Sequence, residues 1–287
     1  MTPDVRERRA RFRKLHESGC FVIPNPWDVG SARYLRHLGF AALATTSSGF
    51  AFSRGQPDAD GAVPCDVMLA HIAEIVAATE LPVNADFRSG YAREPDAVAE
   101  NVRRCVETGV AGLSIEDATG ERESPLYDVA FATRRVAAAR KAIDASGVDV
   151  LLTARAESYL AGIPRPLEDA LDRLTAYAAA GADVVFAPGV RARDDIRAIV
   201  RAVHPTPVNV VMGVNIGLTV SELAELSVRR VSVGSGLARA AWTGFMRAAK
   251  LLAQAGSVSG FDGSVTFAEL DGLFREDRAP DGAGRPS

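Results

Sequence analysis

Cysteine is scarce in this sequence, with three residues among 287, at positions 20, 65 and 105. The three lie far apart, are odd in number and form no Cys-x-x-Cys pair. A disulfide framework or a cysteine-based zinc site is therefore not expected, and the pattern is typical of a reducing cytoplasm. None follows a predicted strand, which disfavours a cysteine nucleophile.

Long apolar segments and blocks of like charge are also missing. No hydrophobic run reaches the roughly 20 residues that a membrane-spanning helix needs. The N-terminal residues 1–18 are rich in arginine and lack the apolar core of a secretory signal. The formal net charge is only -3, and no lysine- or arginine-rich block stands out, so neither nucleic acid nor a membrane is expected as a partner.

Histidine is rare as well, and none occurs where a strand ends. The four histidines are His16, His37, His71 and His204, and all lie on predicted helices or at helix ends. Chemistry in parallel α/β proteins is placed at the C-terminal ends of the strands. A histidine-based triad or zinc site is therefore disfavoured.

What the sequence does contain is a repeat of short β-branched runs, polar or glycine-rich turns and longer alanine-rich stretches. The runs are continuous rather than alternating, as in strands that are buried on both faces. The predicted strands span residues 21–24, 41–45, 82–86, 112–116, 150–155, 183–187, 208–212 and 230–233. The predicted helices span residues 29–38, 66–79, 96–108, 129–146, 167–180, 194–203, 220–226 and 237–255.

Eight strands alternating with eight helices predict an α/β fold, a closed (β/α)8 TIM barrel, with a doubly wound open sheet as the alternative. Residues 1–18 are predicted to form an extra amphipathic helix that covers the barrel bottom, and 267–274 a short final helix. We expect a single domain over residues 1–274. The tail 275–287 is rich in proline, glycine and charge and is expected to be disordered.

Acidic side chains end two of the apolar strands, Asp86 on the third and Glu116 on the fourth. A charge at the end of a buried strand is costly unless it is paired or bound to a metal. Barrels of this kind build their active sites at these strand ends. We interpret Asp86 and Glu116 as ligands of a divalent cation, and oxygen ligands favour Mg²⁺, which needs only one or two carboxylates besides water and substrate.

The later strands deliver residues with two interpretations each. Arg155 can bind a substrate carboxylate or phosphonate, or it can form an ion pair with Asp86 or Glu116. Glu157 can act in catalysis or form a salt bridge within its turn. Asn209 can orient a substrate or satisfy a backbone group.

Other strand ends carry weaker signals. Asp28 can cap the following helix or act in the site. Strand six supplies only Pro188 and Gly189. The turn at residues 234–236 is similar to a phosphate cradle, although close helix–strand packing is the favoured reason for its glycines.

Several short stretches together resemble the isocitrate lyase/phosphoenolpyruvate mutase superfamily, and the resemblance runs through nearly the whole chain. The stretches are Asn25-Pro26-Trp27-Asp28, Thr45-Thr46-Ser47-Ser48-Gly49, Gly55-Gln56-Pro57-Asp58, Pro82-Val83-Asn84-Ala85-Asp86 with Gly90-Tyr91, and Ser114-Ile115-Glu116-Asp117. Arg155 lies in the sequence context that the superfamily expects. Singly these signals are modest, but their order and spacing are specific.

This resemblance implies an eight-stranded barrel, a Mg²⁺ site that could also take Mn²⁺, and chemistry through a metal-held pyruvate enolate. By position, Asp86 would bind the metal directly, and Asp58 and Glu116 through metal-bound water. The residues expected to bind the substrate are Trp27, Thr45, Thr46, Ser47, Arg88, Arg155 and Asn209. The residues expected to take part in catalysis are Arg155, Glu116, Glu157 and Tyr91.

The resemblance also implies a homo-oligomer, a dimer or a tetramer, in which C-terminal helices swap between subunits. Residues 237–255 and 267–274 could serve that role.

The sequence departs from the superfamily pattern at two places. Arg88 stands where many members carry a second carboxylate, which is expected to weaken the metal site or to draw a substrate anion toward Arg88. Residues 120–125 replace the lyase branch's Lys-Arg-Cys-Gly-His loop, and the mutase branch's lysine–asparagine loop is absent too. Without the general-acid cysteine, the proton would come from water, Glu157, Tyr91 or Tyr127.

Three functional hypotheses follow. The first is a Mg²⁺-dependent lyase that acts on a small 2-oxo or 2-hydroxy carboxylic acid by C–C cleavage or decarboxylation. The second is a C–P bond enzyme, a phosphonopyruvate hydrolase or a phosphoenolpyruvate mutase-like protein. The third is a non-catalytic barrel that binds an anionic metabolite.

Overall fold

A computed structural model describes residues 4–276, and its eight parallel strands have the neighbour order β1-β8-β7-β6-β5-β4-β3-β2. The strands are β1 (Phe21–Ile23), β2 (Leu43–Ala44), β3 (Val83–Asp86), β4 (Gly112–Glu116), β5 (Leu151–Arg155), β6 (Val184–Phe186), β7 (Val208–Val211) and β8 (Arg230–Ser232). Between β1 and β2, the amide of Ala44 donates to the carbonyl of Pro24 at 3.0 Å. This contact joins the two ends of the order, so the predicted (β/α)8 barrel is confirmed and the open sheet is not.

Helices alternate with the strands and form the outer layer. They are α1 (Val5–Leu15), α2 (Val29–His37), α3 (Ser47–Ser53), α4 (Cys65–Ala77), α5 (Pro95–Glu107), α6 (Val129–Ala145), α7 (Pro166–Ala179), α8 (Arg193–Val203), α9 (Val220–Glu225), α10 (Gly236–Ala255) and α11 (Phe267–Glu276), with a 3-10 turn at Ser259–Phe261. Capping residues explain where two of these helices begin. Asp28 caps α2 and Thr219 caps α9, each in a reciprocal capping box. The capping interpretation of Asp28 is therefore confirmed.

The predicted elements differ from the observed ones mainly at their ends. Most predicted strands extend one or two residues beyond the observed ladder, where the chain already turns into a loop. One helix, α3, was not predicted, because its first residues were interpreted only as a polar strand-end turn. Thr46 caps it, with its side chain accepting from the Gly49 amide at 3.2 Å.

The main core lies between the strands and the surrounding helices. Its members include the strand residues Val83, Leu113, Leu152 and Val210, all fully or almost fully buried. A barrel built this way is a packed interior rather than a pore. The charged side chains considered as candidate ligands therefore collect at its C-terminal mouth.

Helix α1 closes the opposite end of the barrel, as predicted for the N-terminal segment. Phe12 is completely buried there in a second cluster with Ile23 and Leu151. Arg9 fixes the helix to the barrel by donating to the carbonyls of Val110 at 2.9 Å and Val106 at 3.1 Å.

The C-terminal helices cover the barrel poorly. Along the 20 residues of α10, Ala238 alone is buried, and Phe245 and Met246 are more than half exposed. Helix α11 reaches Glu276, two residues beyond the predicted domain limit, so the first two residues of the predicted tail 275–287 are helical rather than disordered. The rest of that tail, 277–287, lies outside the described residues. Within residues 4–276, none of the helices has the length and apolar character needed to cross a membrane.

Candidate active site

A cavity of about 400 Å³ opens at the C-terminal ends of the strands, where barrels place their active sites. Ten of the predicted site residues line this cavity. They are Thr45, Thr46, Ser47, Asp58, Asp86, Arg88, Glu116, Arg155, Glu157 and Asn209. Trp27 and Tyr91 are not among its lining residues.

Asp86 ends β3, and its carboxylate is held from two sides. Oδ2 accepts hydrogen bonds from the amide of Ser47 at 2.9 Å and from its hydroxyl at 2.8 Å. Oδ1 accepts from Nη1 of Arg155 at 2.8 Å. The Asp86 amide donates to Oγ1 of Thr45 at 2.9 Å. Thr45 and Ser47 therefore orient Asp86, and their predicted contact with a substrate carboxylate stays a prediction.

Arg155, at the end of β5, lies among three carboxylates. Its guanidinium contacts Asp86 at 2.8 Å, Glu116 at 2.9 Å and Glu157 at 2.7 Å. Burial alone would lower the pKa of Arg155, but Glu116, Glu157 and Asp86 together raise it above its ordinary value. The ion-pair interpretation of Arg155 is thus confirmed, and so is the salt bridge within the turn to Glu157.

The same cluster also shifts the pKa values of two of its carboxyl groups. Burial, the largest cause, raises the pKa of Glu116, and it raises the pKa of Glu157 to about 8. Arg155 opposes this shift, but one guanidinium faces three carboxylates, so repulsion between like charges adds to burial. Both causes favour the protonated form of Glu157, which is the form in which a carboxyl group can act as a general acid.

A buried network behind the cavity fixes the backbone of Glu157. Oδ1 of Asp117 accepts from the Glu157 amide at 2.9 Å. Its Oδ2 accepts from the Tyr177 hydroxyl at 2.6 Å and from Arg173 at 3.1 Å. In the sequence, Asp117 was named only within a stretch that carries the superfamily resemblance. Its partners come from α7, 56 and 60 residues away, and no local pattern indicated them.

Arg88 lines the cavity, but its guanidinium is bound to the loop that follows α3. Nη1 donates to Asp58 at 2.6 Å, and Nη2 donates to Asp60 at 2.7 Å. Burial would lower the pKa of Arg88, but the carboxylates raise it above its ordinary value. The backbone of Arg88 is left-handed, with φ of 48°, a conformation unusual for a residue with a side chain. One of the three predicted metal ligands, Asp58, is thus paired with Arg88.

Two predicted site residues lie elsewhere. Trp27 precedes α2, and its amide donates to the Ser31 hydroxyl at 3.1 Å. Tyr91 packs its ring 5.0 Å from that of Phe87, and its hydroxyl is buried without a hydrogen-bond partner among residues 4–276. Their roles in substrate binding and catalysis remain predictions that the cavity geometry does not favour.

Asn209 lines the cavity, and both ends of its side-chain amide are hydrogen-bonded. Its Nδ2 donates to Ser232 at 3.0 Å, and its Oδ1 accepts from Nε of Arg230 at 2.9 Å. Arg230 also donates to Thr153 at 3.0 Å and is 3% exposed. Burial lowers the pKa of Arg230 to about 9, so it remains a cation at neutral pH. The sequence did not indicate Arg230, because it lies at the start of a strand rather than at its end.

Two further arginines line the cavity and were also missed. Arg191 lies five residues beyond the end of β6, and Arg239 lies in the first turn of α10. The prediction that strand six supplies only Pro188 and Gly189 was wrong, because the chain after these residues returns to the cavity wall. A search for basic residues a few positions beyond each strand end would have found Arg191.

The donor chemistry of the cavity fits Mg²⁺ bound with few protein ligands. No group of three or more histidine, cysteine, aspartate or glutamate side chains within residues 4–276 has a metal-binding arrangement. Mg²⁺ needs only one or two carboxylates, with water and substrate completing its shell. Oδ1 of Asp86 accepts one hydrogen bond, which leaves it a lone pair, and Glu116 meets Arg155 through Oε2.

Comparison with known proteins places this geometry in context. The phosphoenolpyruvate phosphomutase family matches residues 12–253. The solved structure of a candidate lyase/mutase from Burkholderia cenocepacia J2315 is similar with a TM-score of 0.91 and 48% identity, covering 97% of this chain and 99% of that chain. A candidate phosphonomutase from the same organism gives a TM-score of 0.77 and 38% identity, covering 88% and 100%. The oxaloacetate decarboxylase of Rhodopseudomonas palustris strain BisA53 is 32% identical over 219 residues, 72% of this chain and 71% of that protein.

Proposed function

Because this chain belongs to the phosphoenolpyruvate phosphomutase family, within the isocitrate lyase/phosphoenolpyruvate mutase superfamily, we propose that it is a Mg²⁺-dependent lyase. Its substrate would be a small 2-oxo or 2-hydroxy carboxylic acid, cleaved at a C–C bond or decarboxylated. The relatives include lyases, decarboxylases and mutases, so the choice among these reactions depends on the residues of this chain.

One observation supports the proposal most strongly. Asp86, Glu116 and Glu157 converge on Arg155 at the C-terminal ends of β3, β4 and β5. These carboxylates face a cavity of about 400 Å³, a size within the usual range for small-molecule sites. Three buried acids around one cation leave an excess of negative charge, which a divalent cation would neutralise.

Asp86 would hold Mg²⁺ directly, and Glu116 would act through metal-bound water. When bound, the metal would supply Lewis-acid stabilisation of negative charge on the substrate oxygen. Asp58 is a weaker ligand than the resemblance implies, because Arg88 competes for its carboxylate. Mn²⁺ could substitute for Mg²⁺ at such an oxygen site.

Glu157 would be the proton donor. It lines the cavity, its pKa is raised to about 8 by burial, and the Asp117 network fixes its backbone. Arg155 holds its carboxyl group at 2.7 Å and so sets its orientation. Tyr91, the other predicted donor, is not a lining residue of the cavity.

A second candidate is C–P bond chemistry, favoured by the 38% identity to the candidate phosphonomutase. Its support in the sequence was the cationic charge of Arg88 and Arg155. Since Asp58 and Asp60 engage Arg88 and three carboxylates engage Arg155, the lyase is the better supported of the two.

The experiment is a turnover panel with purified protein. Oxaloacetate, malate, 2,3-dimethylmalate and isocitrate are each incubated with Mg²⁺ or with EDTA, and release of pyruvate, glyoxylate or CO₂ is measured. Phosphonopyruvate is followed in parallel by phosphorus NMR. We expect Mg²⁺-dependent turnover of a carboxylic acid, reduced at least about a hundredfold in Asp86→Asn.

The matched control is Asp66→Asn, an exposed aspartate at the start of α4 that pairs with Arg104 and does not line the cavity. It should retain wild-type rates. Turnover of phosphonopyruvate alone would favour the C–P candidate. Folded protein without Mg²⁺-dependent turnover of any compound would favour the non-catalytic, anion-binding barrel.

A further inference from the structure

The charged residues that line the cavity are divided between its two sides. Its acids are Asp58, Asp86, Glu116 and Glu157, and all four come from the segments between β2 and the turn after β5. The side formed by β6, β7, β8 and the segments that follow them contributes three arginines, Arg191, Arg230 and Arg239, and none of the acids. The cavity is therefore acidic on one side and basic on the other.

The arginines of the acidic side are already neutralised. Arg155 contacts three carboxylates, and Arg88 contacts two. Neither guanidinium is available to a second anion without breaking an ion pair. The sequence analysis offered Arg155 as a binding residue for a substrate carboxylate or phosphonate, so such a group needs another cation if these ion pairs persist.

The arginines of the basic side have no carboxylate partner within residues 4–276. Arg230 is bonded to the neutral groups of Asn209 and Thr153. Arg239 donates to the carbonyl of Gly213. Arg191 is exposed at the mouth and forms neither a hydrogen bond nor an ion pair with another described residue.

The wall around these cations is apolar. Val190, Val211, Val214 and Ile216 line it, and Leu160 faces it from the turn after β5. These side chains offer the cations no competing negative charge, and a charge-assisted hydrogen bond to an anion is stronger than one between neutral groups. Two cations with unused donors beside such a wall suit an anionic group rather than a neutral one.

We propose that the β6–β8 side of the cavity binds a second anionic group of the substrate through Arg191 and Arg239. The substrate would then be a dianion at least, with its 2-oxo or 2-hydroxy carboxylate on the acidic side and a further carboxylate or phosphonate on the basic side. Arg191 and Arg239 would determine specificity, with Arg230 as a fixed positive charge beneath them. This inference rests on the proposed function, which places the reacting end beside Asp86 and Glu116.

The test is equilibrium binding, measured by titration calorimetry in the presence of Mg²⁺. L-Lactate and L-malate are matched probes, because both are 2-hydroxy acids and malate carries the additional carboxylate. A third probe, 2-hydroxy-3-phosphonopropionate, carries a phosphonate at that position. We expect wild type to bind at least one dianion about tenfold or more tightly than lactate, and the preferred dianion identifies the second group.

Arg191→Gln and Arg239→Gln should each weaken binding of that dianion about tenfold and leave lactate affinity within about twofold. Arg197→Gln is the control, an arginine of α8 that pairs with Asp194 and lies outside the cavity lining; it should bind all probes as wild type does. Arg191 is exposed, so Arg191→Gln should keep the wild-type melting temperature. Arg239→Gln loses the hydrogen bond to Gly213, so its binding is measured at a temperature where its melting curve shows it folded.

The proposal is overturned if wild type does not prefer a dianion over lactate, or if the preference persists in Arg191→Gln and Arg239→Gln. Failure of the proposed function appears separately, as an absence of Mg²⁺-dependent turnover. A protein that never turns over but loses dianion affinity in these variants would retain the anion subsite and not the lyase.

Discussion

At the scale of single residues, Glu157 shows how the pKa of a carboxyl group depends on sharing one cation with two other carboxylates. The three carboxylates around Arg155 cannot all be neutralised by one guanidinium, and all are largely withdrawn from water. The lowest free energy is reached when one of them keeps a proton. Glu157, 7% exposed and with a pKa raised to about 8, is the group that we expect to keep it.

This protonation has a measurable consequence for stability. In the unfolded chain Glu157 regains the ordinary glutamate pKa of 4.5, so between about pH 4.5 and 8 the folded state binds one more proton than the unfolded state. The contribution of Glu157 to stability is therefore present at low pH and lost as pH rises. Over this range the free energy of unfolding of wild type should fall with rising pH relative to Glu157→Gln, as measured by urea denaturation.

The same variant checks the proton-donor role. Wild-type turnover should decline as pH rises and Glu157 loses its proton, at a pH that bound Mg²⁺ shifts downward because the cation favours the charged carboxylate. Glu157→Gln should have low activity without that decline. Parallel pH dependences of unfolding in wild type and variant would contradict the assignment of the proton to Glu157.

Sequence reasoning found some of these residues and missed others for physical reasons. Asp86, Glu116 and Arg155 were predicted because each is a charge at the end of an apolar strand, where an unpaired charge costs free energy. The pairing of Arg88 with Asp58 and Asp60 was not predicted, because it depends on a left-handed backbone at Arg88 and on a loop 28 to 30 residues away.

At the scale of secondary-structure elements, most of the fold could be predicted because the apolar periodicity and the caps agree. Pro95 and Pro166 begin α5 and α7, and Thr219 with Glu222 forms the capping box of α9. Helix α3 was missed because its seven residues are too few for a helical period to be seen. Its start also carries the polar residues expected of a catalytic turn.

Helix α1 provides a test of an element that acts on stability alone. Phe12 is completely buried at the barrel bottom, against Gly112, where a Cβ would lie only 2.7 Å from its ring. Phe12→Ala should lower the free energy of unfolding by about 3–5 kcal/mol, because it removes buried area and leaves a cavity. Chemical denaturation measures this change.

The matched control for Phe12→Ala is Val5→Ala, a smaller change at the half-buried first residue of the same helix, which should cost much less. Since the cavity lies at the other end of the barrel, binding of anionic probes should be unaffected at temperatures where the variant is folded. A loss below about 1 kcal/mol would show that α1 does not close the barrel as the structure indicates.

At the scale of the whole molecule, the described chain leaves a large apolar surface uncovered. The surface formed by α10, the 3-10 turn and α11 exposes apolar side chains along its length. They are Leu237, Trp242, Phe245, Met246, Leu251, Leu252, Val258, Phe261, Val265, Phe267 and Leu270. Monomeric proteins rarely expose contiguous apolar patches above a few hundred Å². A helix that follows the last strand of a barrel would ordinarily be buried on one face, yet α10 buries Ala238 alone.

A second copy of this chain is the partner that fits this surface. Helix α10 is 20 residues long, about 30 Å, and two copies related by a two-fold axis can cover each other's apolar side chains with the same residues. The superfamily resemblance leads to the same expectation, since it implies subunits that exchange their C-terminal helices. We therefore predict a homo-oligomer, a dimer or a tetramer, assembled through α10 and α11.

Light scattering during gel filtration measures the assembly directly. Wild type should elute with at least twice the chain mass of 30.3 kDa. Phe245→Glu, which places a charge in the centre of this surface at a side chain that is 62% exposed, should shift the protein toward monomer, because burying an unpaired carboxylate costs more than the contact returns. Val67→Glu, at an exposed apolar position of α4 outside this surface, should leave the mass unchanged. A wild-type monomer, or an oligomer that Phe245→Glu does not weaken, would mean that the apolar surface of α10 is not the subunit interface.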